Sequence, residues 1–541
     1  MRKLYLFFII FFIFSLLYAS QIDTLYILQT TDVHGNLFPY DYFKDEPADR
    51  GLVKVYTRIL EYRDQHKNVM LVDSGDMIQG TPLTYYFNRI EIEIPHPIVL
   101  AMNYMGYDAF AVGNHEIEQG VATYKRTENE SNFPWLSANS VLKDGNSFFK
   151  PYTVITKNGL TIGIIGLTTP GIPMWLDESL YPGITWKDMV ETAKIFAKEL
   201  RPKVDILIGI FHSGFDEKEG AEKSRLMGLP LDNASGLVAK NVKGFDVIFG
   251  GHTHHIKPKE KLTIFNPDET LKVISGCWAR NLGVARIIFE IDGKQLTILE
   301  KTGWIESIKD TKPSSEIMEL TKKYHEKTLK YIRKEIGTIE DTLSAKFSRF
   351  KDTAFIELIN KAQMDYTGAE ISFAACFNSN VNIKPGKIRI KDIYSMYEYE
   401  NFLYMLEMTG KQIKDFLEYS ARYYLWDEKK VSPSPKIAGY NYDMAEGINY
   451  FIDITEKVGN RIKELSLTKT GKPIKMNQIY KVAMNSYRAN GGGGHIAAAN
   501  AENARVIFKS NMEMRNILAD YISTTGKIKS KVDENWKIIT K

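Results

Sequence analysis

The chain has 541 residues, 44% hydrophobic and 25% charged, and a formal net charge of only +4. That length exceeds one ordinary domain, and the composition excludes long disorder. So small a charge excludes a dedicated nucleic-acid surface and leaves a small anionic substrate as an easy fit.

At the N-terminus, Arg2 and Lys3 precede an apolar run from Leu4 to Tyr18 and small residues at Ala19 and Ser20. The run is short of the roughly 20 residues that span a bilayer, so residues 1–20 are expected to be a secretory signal. Export to a periplasm or the exterior follows, without stable membrane association after cleavage. From Asp23 to about Trp304, strands are predicted at Leu25–Leu28, Val69–Val72, Ala109–Val112, Thr161–Ile165, Ile206–Phe211, Val247–Phe249 and Val284–Ile291. Their continuous apolar character suits strands buried on both faces, and helical stretches alternate with them; a layered α/β domain is expected over 21–305. Pro313 and Ser314 or Ser315 then open a helix with Ile317, Leu320, Tyr324 and Tyr331 on one face and Gly337 as its stop, which predicts a linker over 306–338. An α+β domain is expected over 339–541, with helices Ala354–Thr367 and Thr409–Tyr424 and strands Asn449–Ile454 and Ile479–Met484. Cys277 and Cys376 are too few and too distant for a disulfide framework and read as buried small hydrophobes.

Five apolar runs of the first domain end in metal-type side chains. Asp32 and His34 lie in QTTDVHGN, Asp76 in LVDSGDMIQG, Asn114 and His115 in AVGNHE, His212 in IGIFHSG, and His252 and His254 in VIFGGHTHH. Open α/β sheets carry ligand sites at such strand ends. Asp-x-His and His-x-His are expected to aim two ligands to one side of an extended segment. Asp76 offers two oxygens and suits a bridging position, and Gly250 and Gly251 let the backbone come close. Two divalent metal ions held by nitrogen and oxygen donors are expected, with Zn, Mn, Co and Fe all compatible. Such a pair serves hydrolysis of a phosphate ester, with His115 stabilising developing charge or protonating the leaving oxygen. His255 points away from the set, and His66, His96 and His325 read as surface or core residues.

The order DxH, GD, GNHE, FHSG, GHxH resembles the calcineurin-like metallophosphoesterases. With TTDVHGNLFPYDYFKD, SGDMIQGTPL, GYNYDMAEGINYFIDIT, NSYRANGG and the ending ENWKI, it resembles the 5′-nucleotidase family, above all its bacterial 2′,3′-cyclic-nucleotide 2′-phosphodiesterase/3′-nucleotidase branch. The resemblance implies a layered β-sandwich metallophosphoesterase domain flanked by helices, joined by a helix to an α+β nucleotide-binding domain. It implies one metal site of Asp32, His34, Asp76 and His254, a second of Asp76, Asn114, His212 and His252, and His115 as the catalytic histidine. Where 5′-nucleotidases carry an Asp three residues after that histidine, this chain has Glu118, a departure that leans toward the cyclic-phosphodiesterase branch.

The family clamps its nucleobase between two aromatic rings, which match Tyr440 and Tyr487, with Tyr442 as a rival for the first. The segment Arg488, Ala489, Asn490, Gly491 and Gly492 is implied to add backbone contacts to the substrate. The implied activity is opening of 2′,3′-cyclic nucleotides to 3′-nucleotides and then removal of the 3′-phosphate, by a monomer acting on small nucleotides rather than nucleic-acid polymers. The alternatives are a 5′-nucleotidase or nucleotide-sugar hydrolase, a thiosulfate-ester hydrolase disfavoured by the tyrosines, and a non-catalytic nucleoside-binding surface protein.

Overall fold

A computed structural model of the chain describes residues 21–293 and 295–540, so the signal expected over 1–20 lies outside the described residues. Among the described residues no helix is long and apolar enough to cross a membrane.

Two sheets face each other in the first domain. One has seven strands, in the spatial order Leu262–Ile264, Gln295–Ser307, Asn281–Asp292, Gln21–Thr30, Val69–Asp73, Ala109–Ala111 and Trp135–Leu136. The other has six, in the order Ile256–Lys257, Leu271–Ser275, Val247–Phe249, Ile206–His212, Leu160–Thr168 and Tyr152–Lys157. Within the first, Gln21–Thr30, Val69–Asp73 and Ala109–Ala111 run parallel; within the second, Leu160–Thr168, Ile206–His212, Val247–Phe249 and Leu271–Ser275 do.

Alternation along each strand explains why the predicted runs are apolar on both faces. Ile206, Ile208 and Ile210 enter the core between the sheets, where they meet Leu25, Ile27, Met70 and Val72. Leu207 and Phe211, on the opposite face of the same strand, pack instead on Ala193 and Ala197 of the helix Met189–Leu200. Leu28 likewise turns outward, toward Val55 and Ile59 of the helix Leu52–Gln65. The result is a four-layer sandwich, helices outside and two sheets within, with the central strands of each sheet covered on both faces. All seven predicted strands form; the partner strand Gln295–Ser307, whose outer half alternates polar and apolar residues, went unread.

The helix Ser315–Ile332 joins the domains but is not a free rod. Ile317, Tyr324 and Ile332 belong to the core of the first domain. It ends at Ile332, not at Gly337, which lies inside the strand Glu335–Ile339. A Cβ on Gly337 would meet the Ile522 side chain at 2.9 Å, so this glycine serves close packing rather than helix termination.

The second domain is built on five strands in the order Asp443–Glu446, Ile371–Ala375, Ile479–Asn485, Phe402–Thr409 and Arg505–Glu513. The helices Ala354–Thr367 and Gly410–Ala421 pack into its core, the second capped by Thr409, whose hydroxyl accepts from the Gln412 amide. Both cysteines are free. Cys376 is buried as expected, but Cys277 is only half-buried, because it lies in the loop region beside His254 rather than in the core.

Candidate functional site

Asp32, Asp76, Asn114 and His252 each follow the C-terminal end of a strand, and His212 is the last residue of Ile206–His212. The strands deliver them to one place. His34 Nε2 lies 3.0 Å from His254 Nε2 and 4.0 Å from both Asp32 Oδ1 and Asp76 Oδ2. His254 Nε2 is 3.3 Å from Asp32 Oδ1. On the other side of Asp76, His212 Nε2 stands 3.0 Å from Asp76 Oδ2 and 3.0 Å from Asn114 Oδ1. Potential ligand atoms of Asp32, His34 and His254 all lie within 4.8 Å of one another, and so do those of Asp76, His212 and His252.

The pairs Asp32/His34 and His252/His254 do not converge by strand alternation, as their spacing had suggested. Their backbones are left-handed: φ is 48° at Asp32, 46° at His34, 63° at Asp76, 71° at His252 and 58° at His254. Non-glycine residues seldom adopt this region, though Asp and His tolerate it better than most, and such strain gathers at functional sites. The loops also pack against each other. A Cβ on Gly251 would meet Thr31 Oγ1 at 2.4 Å, which is why the His252 loop needs glycine there.

Residues not singled out from the sequence fix the rings. His212 Nδ1 is 2.7 Å from the Ser74 carbonyl, which leaves Nε2 for a ligand. His34 Nδ1 is 3.1 Å from Gln79 Oε1. His252 Nε2 is 3.2 Å from Asp232, whose carboxylate also accepts from Thr169 Oγ1 at 2.5 Å. Glu116, wholly buried, accepts from the amides of Asp76 at 2.8 Å, Met77 at 2.7 Å and Gly113 at 2.8 Å and so shapes the Asp76 turn. Sequence offered little signal for these. Asp232 and Gln79 come from irregular loops, and Glu116 hides inside the GNHE motif.

Electrostatics follow from packing so many donors together. Burial disfavours the charged forms of Asp32 and Asp76, yet nearby imidazoles outweigh it and hold both carboxyls below their ordinary range. Burial also opposes protonation of His212 and His254, but Asp76 lifts the first to about 9 and Asp32 the second to about 11. His34 goes the other way, to about 4, because burial dominates. Two acidic residues, four imidazoles and an amide oxygen converging in this way fit a pair of divalent metals with nitrogen and oxygen ligands.

His115 stands at the mouth of this cluster, 30% exposed in its side chain. Its Nδ1 is 2.5 Å from Glu118 Oε2, and its amide donates to Asp76 Oδ1 at 2.9 Å. Burial would lower its pKa, but Asp76 and then Glu118 lift it to about 10. The longer Glu118 side chain thus reaches the histidine.

A cavity of about 360 Å³ opens from here to the second domain; Asn114, His115, Glu118 and His252 line one wall, and Phe377, Tyr399, Tyr440, Tyr487 and Arg488 the other. Trp175 sits between them, 5.4 Å from the His252 ring. Tyr440 is 41% exposed and lines the cavity, whereas Tyr442 is 1% exposed and stacks on Tyr423 at 5.1 Å. Arg488 is almost wholly buried, with Nε 2.6 Å from Asp443; its guanidinium donates to the Tyr440 carbonyl at 2.9 Å and the Gly492 carbonyl at 2.6 Å. Ala489 packs on the core of the second domain, and Gly492 is buried beneath the Tyr487 ring, so neither lines the cavity. Asn490 and Gly491 face neighbouring depressions instead. The glycine run is an ordered turn, with Gly491, Gly493 and Gly494 all left-handed. Among the remaining histidines, His255 is 62% exposed at its side chain, His96 is buried, and His66 stacks on Tyr26 at 4.1 Å.

Comparison with known proteins agrees with this division. The calcineurin-like phosphoesterase family matches residues 25–255, and the 5′-nucleotidase C-terminal domain family matches residues 335–500. The chain is 30% identical to the trifunctional nucleotide phosphoesterase protein YfkN of Bacillus subtilis over 96% of its own length, but spans only 39% of that protein. It is 28% identical to a 2′,3′-cyclic-nucleotide 2′-phosphodiesterase/3′-nucleotidase of Yersinia enterocolitica, covering 96% of this chain and 89% of that one. A 5′-nucleotidase precursor structure from Thermus thermophilus shares the fold, with a TM-score of 0.63 at 21% identity over 96% of this chain and all of that one. With both domain families present in order on one two-domain fold, the chain belongs to the 5′-nucleotidase family of calcineurin-like metallophosphoesterases.

Proposed function

We propose that this phosphoesterase opens 2′,3′-cyclic nucleotides to 3′-nucleotides and then hydrolyses those to nucleoside and phosphate. The observation that carries the reading is a single cavity, in which His115 and the metal-type cluster face the exposed ring of Tyr440 and the ring of Tyr487. Asp32, His34, Asp76 and His254 would hold one divalent metal, and Asp76, Asn114, His212 and His252 the other. The chemistry such a pair supplies when bound is charge neutralisation at phosphate and activation of water.

The chain's own residues do the rest. His115, kept protonated by Asp76 and Glu118, hands a proton to the departing oxygen, the 2′-oxygen in ring opening and the 3′-oxygen in monoester cleavage. Both steps are in-line attacks at phosphorus, so one site serves both once the nucleoside turns over between them. Tyr440 and Tyr487 stack on the base, which every base permits because each has a π-face. Arg488 anchors the Tyr440 backbone and the glycine turn, and so positions the rings. Glu118 in place of Asp and the named activity of the Yersinia relative support the cyclic and 3′ preference over the 5′.

Activity towards 2′,3′-cyclic AMP, 3′-AMP, 5′-AMP and UDP-glucose, after chelation and add-back of Zn, Mn, Co or Fe singly, tests the proposal. Conversion of the first through 3′-AMP, with little action on the last two, is expected. Preferential turnover of 5′-AMP or UDP-glucose would replace it with the 5′-nucleotidase reading. Export belongs to the same proposal, and N-terminal sequencing of the secreted protein is expected to begin at Gln21.

A further inference from the structure

We propose that Asp352, Glu357 and Asp533 form a calcium-type cation site in the second domain, with Glu446 as a neighbouring carboxylate, which fastens the C-terminal segment to the start of the helix Ala354–Thr367. The site is separate from the histidine-rich centre and shares no residue with it. Carboxylate oxygens of Asp352, Glu357 and Asp533 lie within 4.8 Å of one another. Asp352 is 7% exposed and Glu357 1%, so water does little to screen them. Asp352 Oδ2 is buried with no hydrogen-bond partner, and the Glu357 and Asp533 carboxylates grouped with Asp352 cannot donate to it when ionised. Glu446, at the end of the strand Asp443–Glu446 and 5% exposed, feels the charges of Asp533, Glu357 and Asp352.

Among the described residues, Lys361 pairs with Glu357 and interacts with Glu446 and Asp533, and no ion pair forms at Asp352. Burial, then Glu357 and Asp533, pushes the Asp352 carboxyl up to about 7, and burial, then Asp533, pushes Glu446 up to about 8. A cation would remove this conflict. The donors are all oxygens and come from two separate segments with no His or Cys among them, a set that suits a hard ion. Calcium accepts six to eight oxygens, mono- or bidentate, in flexible geometry, whereas magnesium demands a near-ideal octahedron.

The attachments of Asp533 say what the site would do. Its amide donates to Glu357 Oε1 at 2.7 Å, and Asn535 donates back to its carboxylate at 3.2 Å. Immediately beyond, the strand Trp536–Ile539 pairs in parallel with Ile448–Asp453. A cation shared by Asp352, Glu357 and Asp533 therefore clamps the last strand of the chain to the domain.

The test adds CaCl2 to the full-length enzyme held in saturating Mn2+, following thermal unfolding and amide hydrogen exchange over residues 529–539. Wild type is expected to gain about 5 °C in Tm and to slow exchange in that segment. Asp352→Asn and Asp533→Asn should each lose the calcium response while keeping phosphatase activity. Should Asp352→Asn fail to fold, Asp533→Asn and the exchange data on wild type still decide. No calcium effect on wild type, an equal effect on both variants, or the same response to MgCl2 would overturn the proposal; in the first case the carboxyls share protons instead.

Discussion

His252 can serve a metal only if its ring is held still, and Asp232 is what holds it. Asp232→Asn is expected to lower metal affinity about 10- to 100-fold while leaving the fold intact, read by metal titration beside circular dichroism. Asp76→Asn should do more, since Asp76 reaches His212 and His34 alike; wild-type turnover in that variant would refute a shared carboxylate. Protonation gives a third expectation. His212 and His254 are raised above the ordinary 6.5 in the metal-free protein, so protons occupy them at neutral pH and must leave when metal enters. Apparent metal affinity should therefore climb from pH 6 to pH 9, beyond the range an unperturbed histidine would give; a flat profile contradicts the geometry. Tyr440→Ala should raise KM by the worth of one stacked base, about 1–3 kcal/mol or roughly 5- to 150-fold, and Tyr440→Phe should not. The seven metal-type residues and His115 were legible because each closes an apolar run in a recognisable motif. Tyr440 is preferred to its rival Tyr442 only on the motif it matches, since the difference in burial between them is not written in the sequence. Phe377, Tyr399 and Trp175 carry no pattern at all, because a cavity wall assembled from distant loops leaves no periodicity in the chain.

Strands do the positioning, and their two-faced packing is what makes it firm. Ile208 lies midway along Ile206–His212, wholly buried between the sheets, four residues before His212. Ile208→Ala is expected to cost about 2–5 kcal/mol in chemical denaturation and to loosen metal retention with it, because the same strand carries the ligand. The centres of the strands were readable from continuous Ile, Val, Leu and Phe. Their partner Gln295–Ser307, next to the sheet edge, was less so: one face meets solvent along part of its length, and polar alternation blurs into loop. Gly337 misled for a similar reason. A glycine can end a helix or admit a close neighbour, and only the approach of Ile522 distinguishes the two.

Across the whole molecule, the two domains meet through polar contacts. Lys509 pairs with Asp177 at 2.5 Å beside Trp175, Arg89 with Glu513 at 3.4 Å, and Lys391 with Asp45 at 3.1 Å. Of these, Lys509–Asp177 is the most exposed, and an exposed pair contributes only about 0.2–1 kcal/mol and weakens in salt. Lys509→Ala is accordingly expected to raise KM roughly 1.5- to 5-fold with kcat little changed, since it frees the turn beneath Trp175 and leaves His115 untouched. That two domains exist could be read from length and motifs, whereas the contacts joining them could not, because they pair single charges from segments hundreds of residues apart. One feature of the first domain reaches beyond catalysis. Five of its metal-type residues hold a backbone shape that glycine or asparagine would adopt at lower cost. A lineage of this chain relieved of its chemistry should therefore decay in a fixed order, drifting first at positions 32, 34, 76, 252 and 254. Laboratory selection for heat tolerance alone would enrich glycine and asparagine there while the sandwich around them stays unchanged.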